Sequence, residues 1–263
     1  MSAQIIGLHD WFKTAPGRYL LAWERTQLDL AVANIFGFHA LQLGLTELDA
    51  LSSNRMQHRW LATPAPVSGA DFVSDFTTLP FPAHSLDLVV LPHTLELSAD
   101  PHATLREVER VLVPEGRVVI CGLNPASLWG LRQRRSHLYH RLGFGEPFLP
   151  QAAEFIGYWR LRDWLRLLGF DIEIAQFGCY RPAIFSEKWL QRFAWMDRAG
   201  DRWWPILGAV YFLVAVKRVH GMTLLSPRWT PARLLASAPA SIAVNASLMA
   251  SAVEFDMNKR NLD

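Results

Sequence analysis

Several residues with useful chemistry stand where short apolar runs of the chain end. Each run has the composition of a buried strand, and in an open parallel sheet a ligand sits beyond the carboxyl ends of the strands. There an imidazole can hold or move a proton, a carboxylate can accept hydrogen bonds, and a glycine lets the backbone approach a ligand closely. The residues that this rule nominates are Gly44 and Leu45, Asp75 and Phe76, Pro92 and His93, and Asn124.

Other reactive patterns are absent from the sequence. It contains no HExxH motif, no paired Cys/His spacing and no GxSxG nucleophile elbow. Cys121 and Cys179 are too far apart for a CxxC pair and too few for a disulfide framework. The sequence therefore predicts no bound metal, and its cysteine usage favours a reducing, cytoplasmic setting.

The clearest elements lie in the middle of the chain. Residues 86–91 form a nearly continuous apolar run with β-branched side chains, which is typical of a strand buried on both faces. Asp100 and Pro101 are a capping residue and a first-turn proline, so a helix is predicted to begin there. Residues 117–121 predict another strand. Strand, helix and strand in succession predict a parallel α/β sheet with right-handed crossovers.

Further elements flank this unit. A helical pattern over residues 20–32 precedes it, and Thr46 with Asp49 predicts a short capped helix over residues 46–52. A helix is also predicted over residues 158–168, ended by Gly169. Strands are predicted over residues 39–45, 56–62, 70–75, 170–177 and 209–218.

The segment from Asp75 to Cys121 resembles the central part of the class I S-adenosylmethionine-dependent methyltransferases. The resemblance rests on spaced motifs in order: DFTTLPFPAHSLDLVV from Asp75, HTLE from His93, then DP, LRE and RVLVPEG, which ends at Gly116. A small group of bacterial members also has the FGFH lead-in from Phe36, the single Gly44 and the Asn124-Pro125 turn. The resemblance implies a Rossmann-like α/β fold, with a mostly parallel sheet, an antiparallel last strand and helices on both faces.

The resemblance also implies which residues bind S-adenosyl-L-methionine. Asp75 would accept a hydrogen bond from the adenine amine, and Phe76 beside it would cover the adenine face. Gly44, followed by Leu45, matches the first glycine of the loop that lets the backbone approach the cofactor. From the residues alone, Asp75 can also be interpreted as a strand-end cap.

Pro92 and His93 match the mouth of the fourth strand, which faces the sulfonium and the acceptor. His93 would therefore contact the cofactor and orient or deprotonate the acceptor. The alternative interpretation is a hydrogen-bonded packing histidine, because many methyl transfers need little beyond alignment of the nucleophile.

The loop after Gly44 departs from the family pattern. The family has two further glycines there, whereas this chain continues Leu-Thr-Glu-Leu. Residues 55–66 contain no Asp or Glu, so the acid that holds the ribose hydroxyls is missing. Only 43 residues separate Gly44 from Asp87, so the helix after the first strand is predicted to be trimmed.

The sequence thus predicts methyl transfer from S-adenosyl-L-methionine to a small, hydrophobic or aromatic acceptor. The alternative is a degenerate methyltransferase fold that binds or regulates without catalysis. The composition excludes a disordered or fibrous protein, because 51% of the 263 residues are hydrophobic and 19% are charged. A net charge of +2 gives no general reason to expect a nucleic-acid partner.

No targeting or transmembrane segment is predicted. The N-terminus lacks the basic and long apolar regions of a secretory signal. The most apolar stretch, residues 203–216, is shorter than the roughly 20 residues needed to span a bilayer. It is interpreted as a loop that runs into a buried strand, with interfacial membrane contact as the alternative.

Tryptophan and arginine are concentrated in the second half of the chain. Of the 11 tryptophans, Trp11, Trp23 and Trp60 precede Asn124 and the others follow it. The Trp/Arg-rich insertion over residues 179–208 would form either an aromatic lid over a substrate or a satellite core beneath a loop. The arginines from Arg132 to Arg141 form either a solvated helix face or a grip on an anionic acceptor or RNA.

These features predict three parts along the chain. Residues 1–35 form a helical lead-in, residues 36–225 form the methyltransferase domain, and residues 226–263 form a tail predicted to be disordered. The tail is rich in Ala, Ser and Pro and has little periodicity.

Overall fold

The computed structural model describes the backbone of residues 10–141 and 155–218, and the side chains of residues 10–136 and 155–218. The described residues lie in one compact unit, Met1–His220. The predicted tail lies outside them. The elements in chain order are α1 (Ala15–Val32), β1 (His39–Leu43), β2 (His58–Thr63), β3 (Phe72–Val73), β4 (Leu86–Pro92), α2 (Thr94–Leu97), α3 (Pro101–Val111), β5 (Leu112–Leu123), α4 (Leu128–Arg141), α5 (Tyr158–Leu167), β6 (Phe170–Gly178), α6 (Glu187–Arg192), α7 (Trp195–Trp203), a 3₁₀ turn (Pro205–Leu207) and β7 (Val210–Lys217).

The strands form a single seven-stranded sheet in the order β3-β2-β1-β4-β5-β7-β6. All neighbouring pairs are parallel except those of β7, which runs antiparallel to β5 and β6. The fold predicted from the sequence is therefore confirmed. Because β6 runs parallel to β5, the carboxyl ends of β1 to β6 all lie at one edge of the sheet.

The central strands are apolar because both of their faces are covered. On one face, Leu28 and Val32 of α1 pack against Leu88 and Val90 of β4. On the other face, α3 and α5 pack against side chains that alternate with these, such as Val89. Burial of strands on both faces is what the continuous apolar run of β4 predicts.

The start of α3 follows the capping prediction. Asp100 is the N-cap, and its Oδ1 accepts a hydrogen bond from the amide of Ala103 at 2.9 Å. Pro101 occupies the first turn, where backbone N–H groups have no acceptor within the helix, so the missing N–H of proline costs no hydrogen bond. The helix ends directly in β5, which continues to Leu123 and brings the chain back to the carboxyl edge.

The helix predicted over residues 46–52 is wrong, because this segment forms bends and turns. The buried side chain of Gln42 fixes it in that shape. Its Nε2 donates to the carbonyl oxygens of Leu45 and Leu48 at 2.5 and 2.6 Å, and its Oε1 accepts from the amide of Ala50 at 2.9 Å. A loop folded around one amide thus replaces the first helix of the α/β unit.

The segment between β6 and β7 carries the short helices α6 and α7 and the 3₁₀ turn. The apolar stretch over residues 203–216 is a turn that runs into β7, as the sequence predicts, and β7 is buried along its whole length. In the part of the chain that the structure describes, no helix has both the length and the apolar character to cross a membrane.

Candidate functional site at the carboxyl edge of the sheet

The strand order brings the residues nominated from the sequence to the same edge of the sheet. Gly44 follows β1, Asp75 lies just beyond β3, and His93 follows β4. Asn124 follows β5, where its Nδ2 donates to the carbonyl oxygens of Ile206 and Gly208 at 2.7 and 2.9 Å. Asn124 therefore ties the end of β5 to the segment that leads into β7.

Gly44 makes the turn out of β1 with a backbone angle that favours glycine, φ +100°. A Cβ at this position would lie 3.1 Å from Oγ1 of Thr94, which follows β4. The amide of Gly44 donates to Ala62 at 2.8 Å, and Oγ1 of Thr94 donates to the carbonyl oxygen of Leu43. The two strand ends are thus in close contact, and a side chain at residue 44 would push them apart.

Asp75 presents an exposed carboxylate. Its Oδ1 accepts hydrogen bonds from the amide and the hydroxyl of Thr77, both at 2.9 Å, and these bonds lower the pKa of the carboxyl below its ordinary value. No hydrogen bond to Oδ2 occurs within the described residues. Phe76 turns the other way, is only 6% exposed and packs in the main core with Leu79.

His93 is enclosed between two carboxylates. Its Nε2 lies 2.9 Å from Oε1 of Glu24 on α1, and its Nδ1 lies 2.9 Å from Oε2 of Glu96 on α2. The amide of Leu123 donates to the other oxygen of Glu96, whereas neither carboxylate oxygen of Glu24 makes a well-directed hydrogen bond among the described residues, despite the short contact of Oε1 with Nε2 of His93. All three side chains of this buried triad are at most 2% exposed.

The charges of the triad explain its protonation. Burial by itself would lower the pKa of His93, but the negative charges of Glu24 and Glu96 outweigh burial and raise the pKa to about 10. The imidazole is therefore a buried cation at neutral pH. Its backbone is left-handed, with φ 55°, which turns the ring toward α1 immediately after β4.

An apolar cluster covers this end of the edge. Trp11, Phe12 and Leu20 come from the N-terminal part of the chain and pack with Leu45 after β1 and Leu123 at the end of β5. The ring of Phe12 lies 5.8 Å from the ring of His93. Pro92, Leu45 and His93 are consequently buried, and the N-terminal segment closes the mouth of the fourth strand.

Among the cavities lined by described residues are two larger ones, and neither of these is lined by Gly44, Asp75 or His93. One, of 470 Å³, lies between β2 and the loop that replaces the first helix. The other, of 580 Å³, lies between α1, the end of β6 and α7. The second is lined by Trp23, Gln27, Ala175, Gln176, Phe177, Gly178, Cys179, Tyr180, Asp197, Arg198, Asp201 and Pro205.

Comparison with known proteins decides the family. Residues 30–120 match the family model described as a methyltransferase domain. An Escherichia coli (strain K12) protein named "Uncharacterized protein YafS" is 30% identical over 209 residues, which cover 78% of this chain and 79% of that protein. The chain belongs to the class I S-adenosylmethionine-dependent methyltransferases. This methyltransferase also resembles the malonyl-[acyl-carrier protein] O-methyltransferase of Halorhodospira halophila, with 33% identity over 49% of this chain and 47% of that one.

A solved structure agrees with the fold of this methyltransferase. The crystal structure of a SAM-dependent methyltransferase from Archaeoglobus fulgidus superimposes with a TM-score of 0.52. The alignment covers 75% of this chain and 94% of that chain at 18% identity. At this identity the likeness concerns the fold alone.

Three residues of the edge escaped prediction from the sequence: Glu24, Glu96 and Gln42. Glu24 stands in the apolar series of α1, four residues after Leu20 and four before Leu28, so its place on the buried face of the helix is a usable signal. Glu96 is three residues after His93, which is a contact spacing on a helix. Gln42 interrupts an apolar strand, which is a sign of a buried amide with partners.

Proposed function

We propose that this methyltransferase transfers the methyl group of S-adenosyl-L-methionine to a small acceptor with an aromatic or hydrophobic body. The observation that carries the proposal is the pairing of the Gly44 turn with the exposed carboxylate of Asp75 at one sheet edge. Both residues stand where the family places its cofactor. The two free cysteines favour a cytoplasmic setting for the reaction.

The exposed part of the edge beyond β3, where Asp75 lies, suits the adenosine part of the cofactor. Asp75 offers Oδ2 to an amine, and Thr77 keeps the carboxyl ionised at neutral pH. The φ of +100° at Gly44 sets the turn after β1, whereas Leu45, Pro92 and Phe76 are buried, so Asp75 is the exposed contact that we assign to the adenosine part. When bound, S-adenosyl-L-methionine would supply an activated methyl group, whose carbon bonds to the acceptor nucleophile as the carbon–sulfur bond breaks and S-adenosylhomocysteine leaves.

We assign the acceptor to the cavity of 580 Å³ at the end of β6. Trp23, Phe177 and Tyr180 give it aromatic walls, and Gln27, Gln176 and Asp201 give it polar groups that can orient an acceptor. Apolar walls with few convergent polar groups are typical of small-molecule sites. Most of its lining residues come from the segment over residues 175–205, and α1 adds Trp23 and Gln27.

His93 has a positioning role in this proposal. Its two ring nitrogens face Glu24 and Glu96, so its proton stays within the triad and the acceptor must lose its proton elsewhere. The triad joins α1, β4 and the end of β5, and thereby holds the walls of the edge at fixed separation.

Methyl transfer from radiolabelled S-adenosyl-L-methionine into fractions of a bacterial small-molecule extract tests the proposal. Ala175→Trp fills the acceptor cavity, whereas Ile174→Trp adds the same side chain to a neighbouring exposed position of β6 outside the cavity. We expect transfer to fall at least about tenfold in the first variant, because misplacing an acceptor by an ångström is costly. The control variant and the S-adenosylhomocysteine affinity of both should be unchanged.

Two results would count against the proposal in different ways. If cofactor binds but no fraction accepts label, the protein is a binding or regulatory member of its fold. Equal loss of transfer in both variants would instead mean that the acceptor does not bind in the cavity of 580 Å³, although the protein still transfers methyl groups.

A further inference from the structure

The outward face of α7 combines tryptophan with arginine. Trp195, Arg198, Arg202 and Trp203 are spaced three, four and one residues apart, which places them along one side of a helix. Trp195 is 61% exposed and Trp203 is 75% exposed. Neither arginine forms an ion pair with any residue that the structure describes.

Of the two acids of the helix, Asp197 lies on its inward face and Asp201 is exposed. Asp197 binds Nε of Arg181 at 2.9 Å and accepts the hydroxyl of Tyr19 at 2.5 Å. Gly200 lies against Tyr180, and a Cβ there would come within 2.3 Å of that ring. A typical surface helix buries its apolar residues and exposes its charges. This helix instead exposes its largest apolar side chains and turns Asp197, whose side chain is 32% exposed, toward the protein.

The same surface continues on both sides of α7. Trp204, Ile206 and Leu207 follow it in the 3₁₀ turn, and all three are exposed. Before it, the guanidinium of Arg192 lies 5.6 Å from the exposed ring of Trp189. Within the described residues, Glu187 is within 3.5 Å of Arg18 and Asp197 pairs with Arg181. Exposed Asp201 then offsets one of the three positive charges of Arg192, Arg198 and Arg202, so the charge left facing outward is positive.

We propose that this surface, residues 189–207, binds the interface of a lipid bilayer that contains anionic headgroups. Tryptophan is enriched at the level of the headgroups, and arginine binds phosphate through paired hydrogen bonds. Exposed Ile206 and Leu207 favour lipid over nucleic acid, because stacking on bases requires aromatic rings and cations but no aliphatic side chains. The unpaired arginines give the surface a charge complementary to anionic lipid.

The surface lies beside the cavity of 580 Å³ to which the acceptor is assigned. Arg198 and Pro205 belong to residues 189–207 and also line the cavity of 580 Å³. A bilayer bound here would lie next to the cavity mouth, and a hydrophobic compound dissolved in it would need little passage through water. The binding surface itself rests on exposure and charge, and it stands whether or not the protein transfers methyl groups.

Cosedimentation of the full chain with vesicles tests this surface. One set of vesicles contains phosphatidylcholine alone, and the other contains phosphatidylcholine with phosphatidylglycerol. We expect binding to the anionic set that weakens with added salt. Binding should fall at least about tenfold in Arg198→Gln/Arg202→Gln, because each cation near an anionic surface contributes to the affinity, and at least about tenfold in Trp195→Ser/Trp203→Ser.

The matched control is Trp159→Ser/Arg162→Gln on α5, which removes another exposed tryptophan with an arginine over its ring. It should bind vesicles like the parent chain, and circular dichroism should be the same for all variants. The proposal is overturned if the parent chain binds neither vesicle set, or if the control weakens binding as much as the α7 variants do. Binding of RNA that the α7 variants abolish, with no vesicle binding, would assign the surface to nucleic acid instead.

Discussion

Two parts of one sheet edge differ in their access to solvent: the part beyond the outer strand β3, called the open end, and the part beyond the central strand β4, called the closed end. Beyond β3, Asp75 is exposed and has an oxygen free to bind. Beyond β4, His93 is 1% exposed, and α1, α2 and the cluster around Phe12 surround it. The same rule of ligand binding nominated both residues, so strand ends alone do not decide function. The segments that cover each strand end decide it.

The closed end depends on charge as much as on packing. A buried ion pair contributes little net stability compared with apolar residues of the same shape, but removing one partner leaves an uncompensated charge. Glu24 and Glu96 would be two such charges without His93. The closed end is therefore expected to be rigid but sensitive to substitution, and the open end to be tolerant.

The largest expected effect comes from His93→Asn. Asparagine tolerates the left-handed backbone but cannot carry the proton, so two buried carboxylates lose their cation. We expect the free energy of unfolding to fall by about 3–5 kcal/mol at neutral pH. Urea denaturation measures this, with Asp75→Asn at the open end as the control, which should change stability by at most about 0.5 kcal/mol. Similar losses in the two variants would contradict the difference between the ends.

A smaller effect is expected where the two ends meet, at Gly44. Gly44→Ala places a Cβ at positive φ and 3.1 Å from Thr94, and we expect a loss of about 1–3 kcal/mol. Gly69→Ala is the control, because Gly69 also has positive φ but a Cβ there would meet nothing within 4 Å. Both variants strain the backbone, but only Gly44→Ala also disturbs the contact with Thr94 at the sheet edge. We therefore expect only Gly44→Ala to weaken S-adenosylhomocysteine binding in calorimetry. If the two weaken it alike, the close contact with Thr94 has no part in the site.

The smallest effect is a dependence of stability on pH. The pKa of His93 is about 10 in the folded protein and about 6.5 when unfolded. Its contribution is therefore complete below pH 6.5 and is lost as pH rises toward 10, by about 1 kcal/mol per pH unit. The free energy of unfolding is measured between about pH 6.5 and pH 8, because at higher pH the cysteine thiols of the unfolded chain ionise and add their own pH dependence. His93→Asn should flatten the slope there, and a parent protein whose stability stays constant would contradict a protonated His93.

Local signals in the sequence predict most of the fold. The apolar runs and the Asp100-Pro101 cap gave the sheet and α3, because each is determined by neighbouring residues and by burial. The loop of residues 46–52 was missed because the side chain of Gln42, in the preceding strand, competes with helix formation by binding the backbone of Leu45, Leu48 and Ala50. Local capping signals do not register such a competitor.

The site is less predictable than the fold because its contacts are distant in sequence. Glu24 lies far from His93 along the chain, and only the packing of α1 on the sheet brings them within 2.9 Å. Phe76 is adjacent to Asp75 in sequence but points into the core, because its neighbours in β3 and α3 leave room for it there. Residue type identified the edge, and tertiary packing separated its open end from its closed end.

Calorimetric titration of S-adenosylhomocysteine into the full chain tests the central claim that the open end binds cofactor. We expect saturable binding at one site, weakened at least about tenfold in Asp75→Asn, because a charged hydrogen bond is lost without unfolding the protein. Absence of saturation at millimolar ligand, or equal affinity in the parent chain and the variant, would contradict it.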